Sequence, residues 1–448
     1  MGLPITRLST NDLTSVATDR GPVPMQVGAA LLLEEDSGPS AAELASVVEQ
    51  RLARVPRLGD RLRRAPWGCG RPYWEAASLG TKGLVTIATA PFGDAGLVGT
   101  AVDEVLRRLP RDRPLWRAVV YADTAGRARG LAVVMHHVLA DGIGGLAVLV
   151  ELVDSDETRR PKGTPIPAPS PAPSPAPSPA PSHRDLARDA WTQRWSALRA
   201  APNTVRGLVA GLRELGGIPR REAGRTSLLQ PTSSSRCVEM VEVDLAPVVA
   251  AAHAHGATVN DLLLVAVSGA LRPLLAARDE QLDHVLISVP VSGRSATSSA
   301  DLGNQVGVLP VAVPLDEDPA LRLAAVRDQR ARLGTLAPRA SSGAVLSVLF
   351  RGLAAVGIFQ WFVRRQRLVH TFLTNLRGPA EPVAIAGTRV RRLVPIATVP
   401  GNVTVSFDVL SYAGRLLIAV VYDPDCLPDH ALLADALAGE LTGLTVHE

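Results

Sequence analysis

The chain has 448 residues, 46% of them hydrophobic and 20% charged, with 47 Lys and Arg against 43 Asp and Glu. That length exceeds one ordinary hydrophobic core and implies two domains, and the apolar content excludes a disordered chain. A net charge of +4 with a pI near 9.3 suits an anionic ligand or membrane surface, but without a basic patch interleaved with aromatics it does not indicate nucleic acid.

Cys69, Cys237 and Cys426 are odd in number, far apart and without a CxxC. They argue against a disulfide framework or a zinc site and fit a reducing cytosol. Residues 1–19 lack the apolar run of a signal peptide. The nearest approach to a membrane span is Val345–Val363, interrupted by Arg351 and Gln360. The expectation is therefore a soluble or peripheral cytoplasmic protein.

In chain order, Val27–Leu33 reads as a strand, Ala41–Val55 as an amphipathic helix and Thr100–Leu109 as another helix. Trp116–Tyr121 and Leu131–Met135 read as strands. Pro165–Ser182 repeats Ala-Pro-Ser-Pro, which proline bars from helix and central strand, so it predicts an extended exposed linker. It divides the chain into residues 1–164 and 183–448. Arg184–Leu215 has helical periodicity with a break at Pro202, and Leu186, Trp191, Trp195 and Leu198 suggest one face. Thr258–Leu275 is a helix with Thr258 as N-cap. Strands follow at His284–Pro290, Gly307–Val313, Val403–Phe407 and Leu416–Val421, the last pair joined by a turn at Tyr412–Arg415. Helices alternating with strands in both parts imply α/β layers with mixed sheets.

The run His136-His137-Val138-Leu139-Ala140-Asp141-Gly142 closes the apolar strand Leu131–Met135 and opens the small-residue stretch Ile143–Ala147. It delivers two imidazoles to a strand end, before a turn and a helix. Histidine accepts and returns a proton near neutral pH. His137, nearest the turn, is the candidate general base, and His136 points to the opposite face, where it packs or hydrogen-bonds. Asp141 either orients the imidazole or forms an ion pair that holds the turn. Metal binding would need further ligands, and no second His, Asp or Glu cluster supplies them. Gly142–Ala147 matches a dinucleotide fingerprint, yet the proline repeat stands where its second strand should be. No G-x-S-x-G elbow occurs, and none of the cysteines has a local motif. What remains is direct transfer: a histidine deprotonates a hydroxyl or amine, which attacks a bound activated acyl group.

These seven residues resemble the HHxxxDG signature of the coenzyme-A-dependent acyltransferase superfamily. Pro114-Leu115-Trp116 matches the PLW motif, and Thr258-Val259-Asn260-Asp261 the ND motif, of the bacterial wax ester synthase/diacylglycerol acyltransferase family. Segments similar to that family also occur at Pro24–Gly28, Val55–Leu58, Pro290–Arg294, Leu302–Gln305, Thr374-Asn375 with Gly378-Pro379, and Leu410–Gly414.

The resemblance implies two chloramphenicol-acetyltransferase-like α/β domains with mixed sheets and an active-site tunnel between them. It implies transfer from acyl-CoA, a substrate rather than a cofactor, to diacylglycerol or a long-chain alcohol, at a membrane or lipid-droplet surface. His137 takes the base position, with His136, Asp141 and Gly142 completing the motif. Asn260 and Asp261 support the site, the Asn260 amide either serving the oxyanion or bracing the helix cap. Pro114, Leu115, Trp116, Asn304 and Asn375 fall in substrate-side or structural motifs, and Arg294 is the expected partner of Asp141. A same-fold enzyme with another acceptor or a carrier-bound donor, and a non-catalytic lipid-binding homologue, are the alternatives. The chain departs from the family at Arg377, where proline is more usual, at Asp408 within a late strand, and in its proline repeat. The first two put chain-length or acceptor preference in doubt.

Overall fold

Runs of apolar residues too short for helices and rich in Val and Leu become strands that are buried on both faces, as Ala128–His136 is. The computed structural model describes residues 5–35, 38–77, 80–154, 180–199, 223–292, 306–335, 341–399 and 401–446. The first part contains α1 (Thr10–Thr18), β1 (Gln26–Leu33), α2 (Ala41–Leu52), the short β2 (Asp60–Arg63) and β3 (Tyr73–Ala76), and β4 (Val85–Thr89). It continues with α3 (Gly93–Leu106), β5 (Trp116–Ala122), β6 (Ala128–His136) and α4 (Gly142–Leu152). Residues 183–199 form α5. Next come β7 (Cys237–Asp244), α6 (Leu245–Ala254), α7 (Val259–Ala277), β8 (His284–Ser292) and β9 (Val306–Pro314). The last part holds α8 (Pro319–Thr335), α9 (Ser341–Ala355), α10 (Phe359–Val363), β10 (Thr371–Arg377), β11 (Ala384–Ile385) and β12 (Thr388–Ala397). It ends with β13 (Val405–Tyr412), β14 (Arg415–Tyr422) and α11 (His430–Val446).

Two six-stranded mixed sheets carry the fold, in the orders β11-β12-β1-β6-β5-β4 and β7-β14-β13-β10-β8-β9. In the first, β6 is central and antiparallel to β1 and β5, while β4 and β5 run parallel. In the second, β10 runs parallel to β13 and β8. The break in composition at residues 165–182 does not divide these sheets. β11 and β12, late in the chain, pair into the first sheet and cover the edge of β1. An uncovered β1 would present a row of unpaired backbone groups, so the crossover closes an edge that chain order alone leaves open.

The β13–β14 hairpin shows how the halves join. Phe407, Val409, Ile418 and Val420 point into the second core, whereas Leu410, Tyr412, Leu417 and Ala419 pack with the first. Strand alternation thus puts one face of the hairpin in each core. Its turn is Ala413-Gly414, with φ of 49° and 78°, the left-handed pair that a two-residue hairpin turn requires. Outside the cores, Asp94 of α3 accepts from Arg391 (2.5 Å) and Arg392 (2.7 Å) of β12, and Arg392 also reaches Glu242 of β7 at 3.0 Å.

Several elements differ from the sequence reading. The run Val345–Val363 is no single helix. It breaks at Gly357, φ +79°, into α9 and α10. Among the described residues, the helix long and apolar enough to cross a membrane is instead α7, with 72% of its apolar stretch buried inside the protein. Along α5, Leu186 and Ala190 are buried, but Trp191, Trp195 and Leu198 are exposed. Helical periodicity marked a stripe there without a core to receive all of it. The second helix begins at Ala41 as expected, while α3 starts seven residues before Thr100, at Gly93. Most of the proline repeat, and everything after residue 199 of the long helical segment up to residue 222, lie outside the described residues.

Candidate active site

The last residue of β6 is His136, opposite Gln26 of β1. The backbone of the doublet is held on both sides: His136 N–H donates to the Leu115 carbonyl at 2.9 Å, and His137 N–H to the Met25 carbonyl at 2.9 Å. Leu139 N–H then closes a turn onto the His136 carbonyl at 2.8 Å. This turn sends the two side chains apart. His136 is buried, and its Nδ1 accepts from Val138 N–H at 3.0 Å. Its proton therefore sits on Nε2, which faces Asp19 Oδ2 at 3.3 Å.

His137 is partly exposed, but its Nδ1 is sealed from solvent and has no hydrogen-bond partner among the described residues. Burial holds its imidazole below the usual histidine range. Its own backbone carbonyl and Asp141 favour the charged form, and neither overcomes burial. A neutral imidazole is what a proton acceptor needs at pH 7.

Asp141 is fully buried and is the N-cap of α4, its Oδ1 accepting from Gly144 N–H at 2.8 Å. Such a cap stabilises a helix by about 1 kcal/mol. It also fixes where α4 starts, and so aims the positive end of the helix at the turn that carries His137. Arg294 and Asn304 lie outside the described residues. Gly142 opens α4, and a Cβ placed there would stand 3.0 Å from Leu376 Cδ2 of β10. The first sheet's histidine turn and the second sheet's β10 therefore meet at a glycine.

The PLW segment lies behind this strand end. Pro114, Leu115 and Trp116 are buried, Trp116 pairs with Met135, and its indole Nε1 donates to the Leu58 carbonyl at 2.8 Å. It supports the histidine strand through backbone pairing, and its side chains fill the core. Asp261 completes a capping box with Thr258 at the start of α7 (Thr258 N–H to Oδ2, 2.8 Å) and also pairs with Arg330 of α8. Asn260, beside it, is exposed rather than buried. Its Oδ1 accepts from Asn375 Nδ2 of β10 at 2.6 Å. The structure thus brings Asn260 and Asn375 together, next to the Leu376 that touches Gly142.

Sequence reasoning missed Asp19, which caps the end of α1 in a stretch with no periodicity. It named Asp408 only as a departure. Asp408, on β13, is buried against β10 and β12, accepting from Thr374 Oγ1 at 2.8 Å and Ala397 N–H at 2.7 Å. Burial outweighs both bonds and pushes its carboxyl up to about 7. Two surface cavities, of 490 and 630 Å³, lie against Arg7, Arg71 and Gln193 and against Arg272 and Leu282. Neither is lined by the histidine doublet.

The catalytic-domain profile of the wax ester synthase/diacylglycerol acyltransferase family matches residues 8–263, and the profile of its C-terminal domain matches residues 302–445. The chain is 28% identical over 446 residues to a Mycobacterium tuberculosis protein named a probable diacylglycerol O-acyltransferase, tgs1, covering 96% of this chain and 93% of the relative. It is 24% identical over 329 residues to the O-acyltransferase WSD of Acinetobacter baylyi, covering 71% of each. Among solved structures, the wax ester synthase/diacylglycerol acyltransferase of Marinobacter aquaeolei VT8 superposes with a TM-score of 0.67 at 18% identity, over 98% of each chain. The first condensation domain of the calcium-dependent antibiotic synthetase superposes with a TM-score of 0.64 at 19% identity, over 99% of this chain and 97% of that one. These two structures share the two-domain fold.

Proposed function

This chain belongs to the wax ester synthase/diacylglycerol acyltransferase family, and we propose that it moves a long-chain acyl group from coenzyme A to diacylglycerol or a long-chain alcohol. His137 is the general base, and the protein forms no acyl-enzyme. The observation that carries the reading is the His137 imidazole: kept neutral by burial, its Nδ1 sealed and its backbone tied to Met25 at a strand end.

The steps balance without a resident cofactor. His137 Nε2 takes the proton of the acceptor hydroxyl as its oxygen attacks the thioester carbon. The tetrahedral oxyanion collapses, the carbon–sulfur bond breaks, and the thiolate of coenzyme A leaves with the imidazolium proton. A thioester is already activated, so the protein's tasks are to align the hydroxyl, remove its proton and stabilise the oxyanion. Asn260 is the donor we assign to the oxyanion: its Oδ1 is occupied by Asn375, which leaves its Nδ2 to donate. Substrates would enter between the two sheets, where water exclusion limits thioester hydrolysis.

The same reading places the protein peripherally on a membrane or lipid droplet. Val348, Leu349, Val356, Ile358 and Trp361 of the α9–α10 region are exposed. Arg364, Arg365 and Arg367 follow, and the Arg365 guanidinium lies over the Trp361 ring at 5.3 Å. Apolar side chains flanked by arginines suit anionic headgroups over acyl chains.

The test is purified protein with palmitoyl-CoA against diacylglycerol and hexadecanol, reading thiol release and lipid product, beside His137→Ala. Loss of about a hundredfold or more in the variant is expected. Unchanged thiol release would remove His137 as base. Product with neither acceptor would favour a condensation-type acceptor or a carrier-bound donor.

A further inference from the structure

We propose that Asp19 is a positioning residue for the histidine doublet, reaching His136 through its side chain and His137 through the backbone. The inference rests on the acyl-transfer reading for its consequence, but its geometry stands alone.

Asp19 is buried at the end of α1, and four donors converge on its two oxygens. Arg108 Nη1 donates to Oδ1 at 2.5 Å and Arg111 Nη2 to Oδ2 at 2.6 Å. Met25 N–H reaches Oδ1 at 3.1 Å, and His136 Nε2 lies 3.3 Å from Oδ2. Burial alone would raise this carboxyl, but the His136, Met25 and Arg108 hydrogen bonds outweigh it and hold the group ionised. A buried carboxylate so paired costs much less than an orphaned one and fixes the geometry of all its donors.

Two of those donors lead to the reacting residue. Met25, whose N–H Asp19 holds, offers its carbonyl to His137 N–H at 2.9 Å. His136, whose ring Asp19 holds, is covalently next to His137 and turns its Nδ1 onto Val138 N–H. One carboxylate therefore sets the backbone on both sides of His137. The arginines are delivered by a second anchor. Gln26 donates to the Val105 carbonyl at 2.7 Å and accepts from Leu109 N–H at 2.8 Å, which locks the end of α3 against the start of β1. Three segments far apart in the chain (residues 19–26, 105–111 and 136–138) form one polar cluster behind the doublet. A small displacement of a base costs catalysis steeply, because proton transfer demands an aligned donor and acceptor.

The experiment compares Asp19→Asn, Asp19→Glu and the double variant Arg108→Gln/Arg111→Gln with the parent protein. It reads kcat and KM per folded molecule, together with amide hydrogen exchange of the segment 134–139. In Asp19→Asn, kcat should fall about tenfold or more with KM for both substrates within about twofold. Exchange in 134–139 should rise about tenfold or more while β13 keeps the parent rate. Asp19→Glu, which keeps the charge, should recover part of kcat. Should Asp19→Asn not fold, the double variant, whose arginines are partly exposed, is expected to give the same changes at smaller size. A folded variant with parent kcat, or with parent exchange in 134–139, overturns the proposal. A parent protein inactive with every acceptor overturns the acyl-transfer reading instead, and the exchange arm still decides the role of Asp19.

Discussion

Replacing Asp408 by Asn should make the protein more stable at pH 8 and less stable at pH 4. Asp408 is fully buried between the two sheets with one donor on each oxygen, and its carboxyl titrates at about 7 instead of the ordinary 3.8. Below pH 4 the folded and unfolded chains both hold this proton, and the group contributes nothing to pH dependence. Between pH 4 and 7 the folded chain keeps a proton that the unfolded chain releases, so stability falls as pH rises. Above pH 7 both forms are charged and the full cost remains. At roughly 1.36 kcal/mol per pH unit this cost reaches about 4 kcal/mol. Asparagine is neutral throughout. Its Oδ1 can accept from Ala397 N–H, and its amide can donate to the Thr374 hydroxyl, with a loss of about 1 kcal/mol from poorer geometry. The variant should thus be less stable by about 1 kcal/mol near pH 3, equal near about pH 4.5 and more stable by about 3 kcal/mol at pH 8. Urea unfolding of both proteins across this range measures it. Stability differences that stay constant from pH 5 to pH 8 would refute the argument, because they would mean that Asp408 titrates like an exposed carboxylate.

Four other outcomes are expected. Because burial lowers the His137 pKa, its base form persists below the usual histidine range. The acid limb of kcat/KM should therefore lie below about pH 6.5, and a midpoint above that value contradicts the environment described. Gly142→Val should cut kcat about tenfold or more by forcing Leu376 and α4 apart. Gly145→Ala, whose Cβ would meet only Met135 Cε, at 3.9 Å, among the described residues, should leave kcat intact and raise stability by up to about 1 kcal/mol; equal effects of the two would show that the Leu376 contact is irrelevant. Trp116→Phe removes the indole bond to Leu58 and leaves that carbonyl unpaired, costing about 1–3 kcal/mol in urea unfolding. Trp361→Glu should weaken co-sedimentation with anionic phospholipid vesicles, and unchanged binding would move the lipid-facing surface elsewhere.

Much of this was legible in the sequence because it is local. The apolar run Leu131–Met135, the doublet after it and the small residues beyond Gly142 give a strand, a turn and a helix. Each follows from neighbours in the chain, as does the capping box of Thr258 with Asp261 and the Ala413-Gly414 hairpin turn. Resemblance named the family from short motifs spread across the chain, and the profile matches agree with it. The contacts between segments far apart in the chain were not legible. Nothing in the spacing of Asp19, Arg108 and His136 says that they share one cluster. Nor does anything in residues 384–397 say that they close the first sheet. The motif left the Asn260 amide between two roles, and only the fold shows that it is exposed, with its Oδ1 taken by Asn375 of β10. Periodicity and capping report on which way a segment faces. Which distant carboxylate meets which imidazole is settled by how the sheets pack, and that depends on many weak contacts acting together rather than on any local pattern.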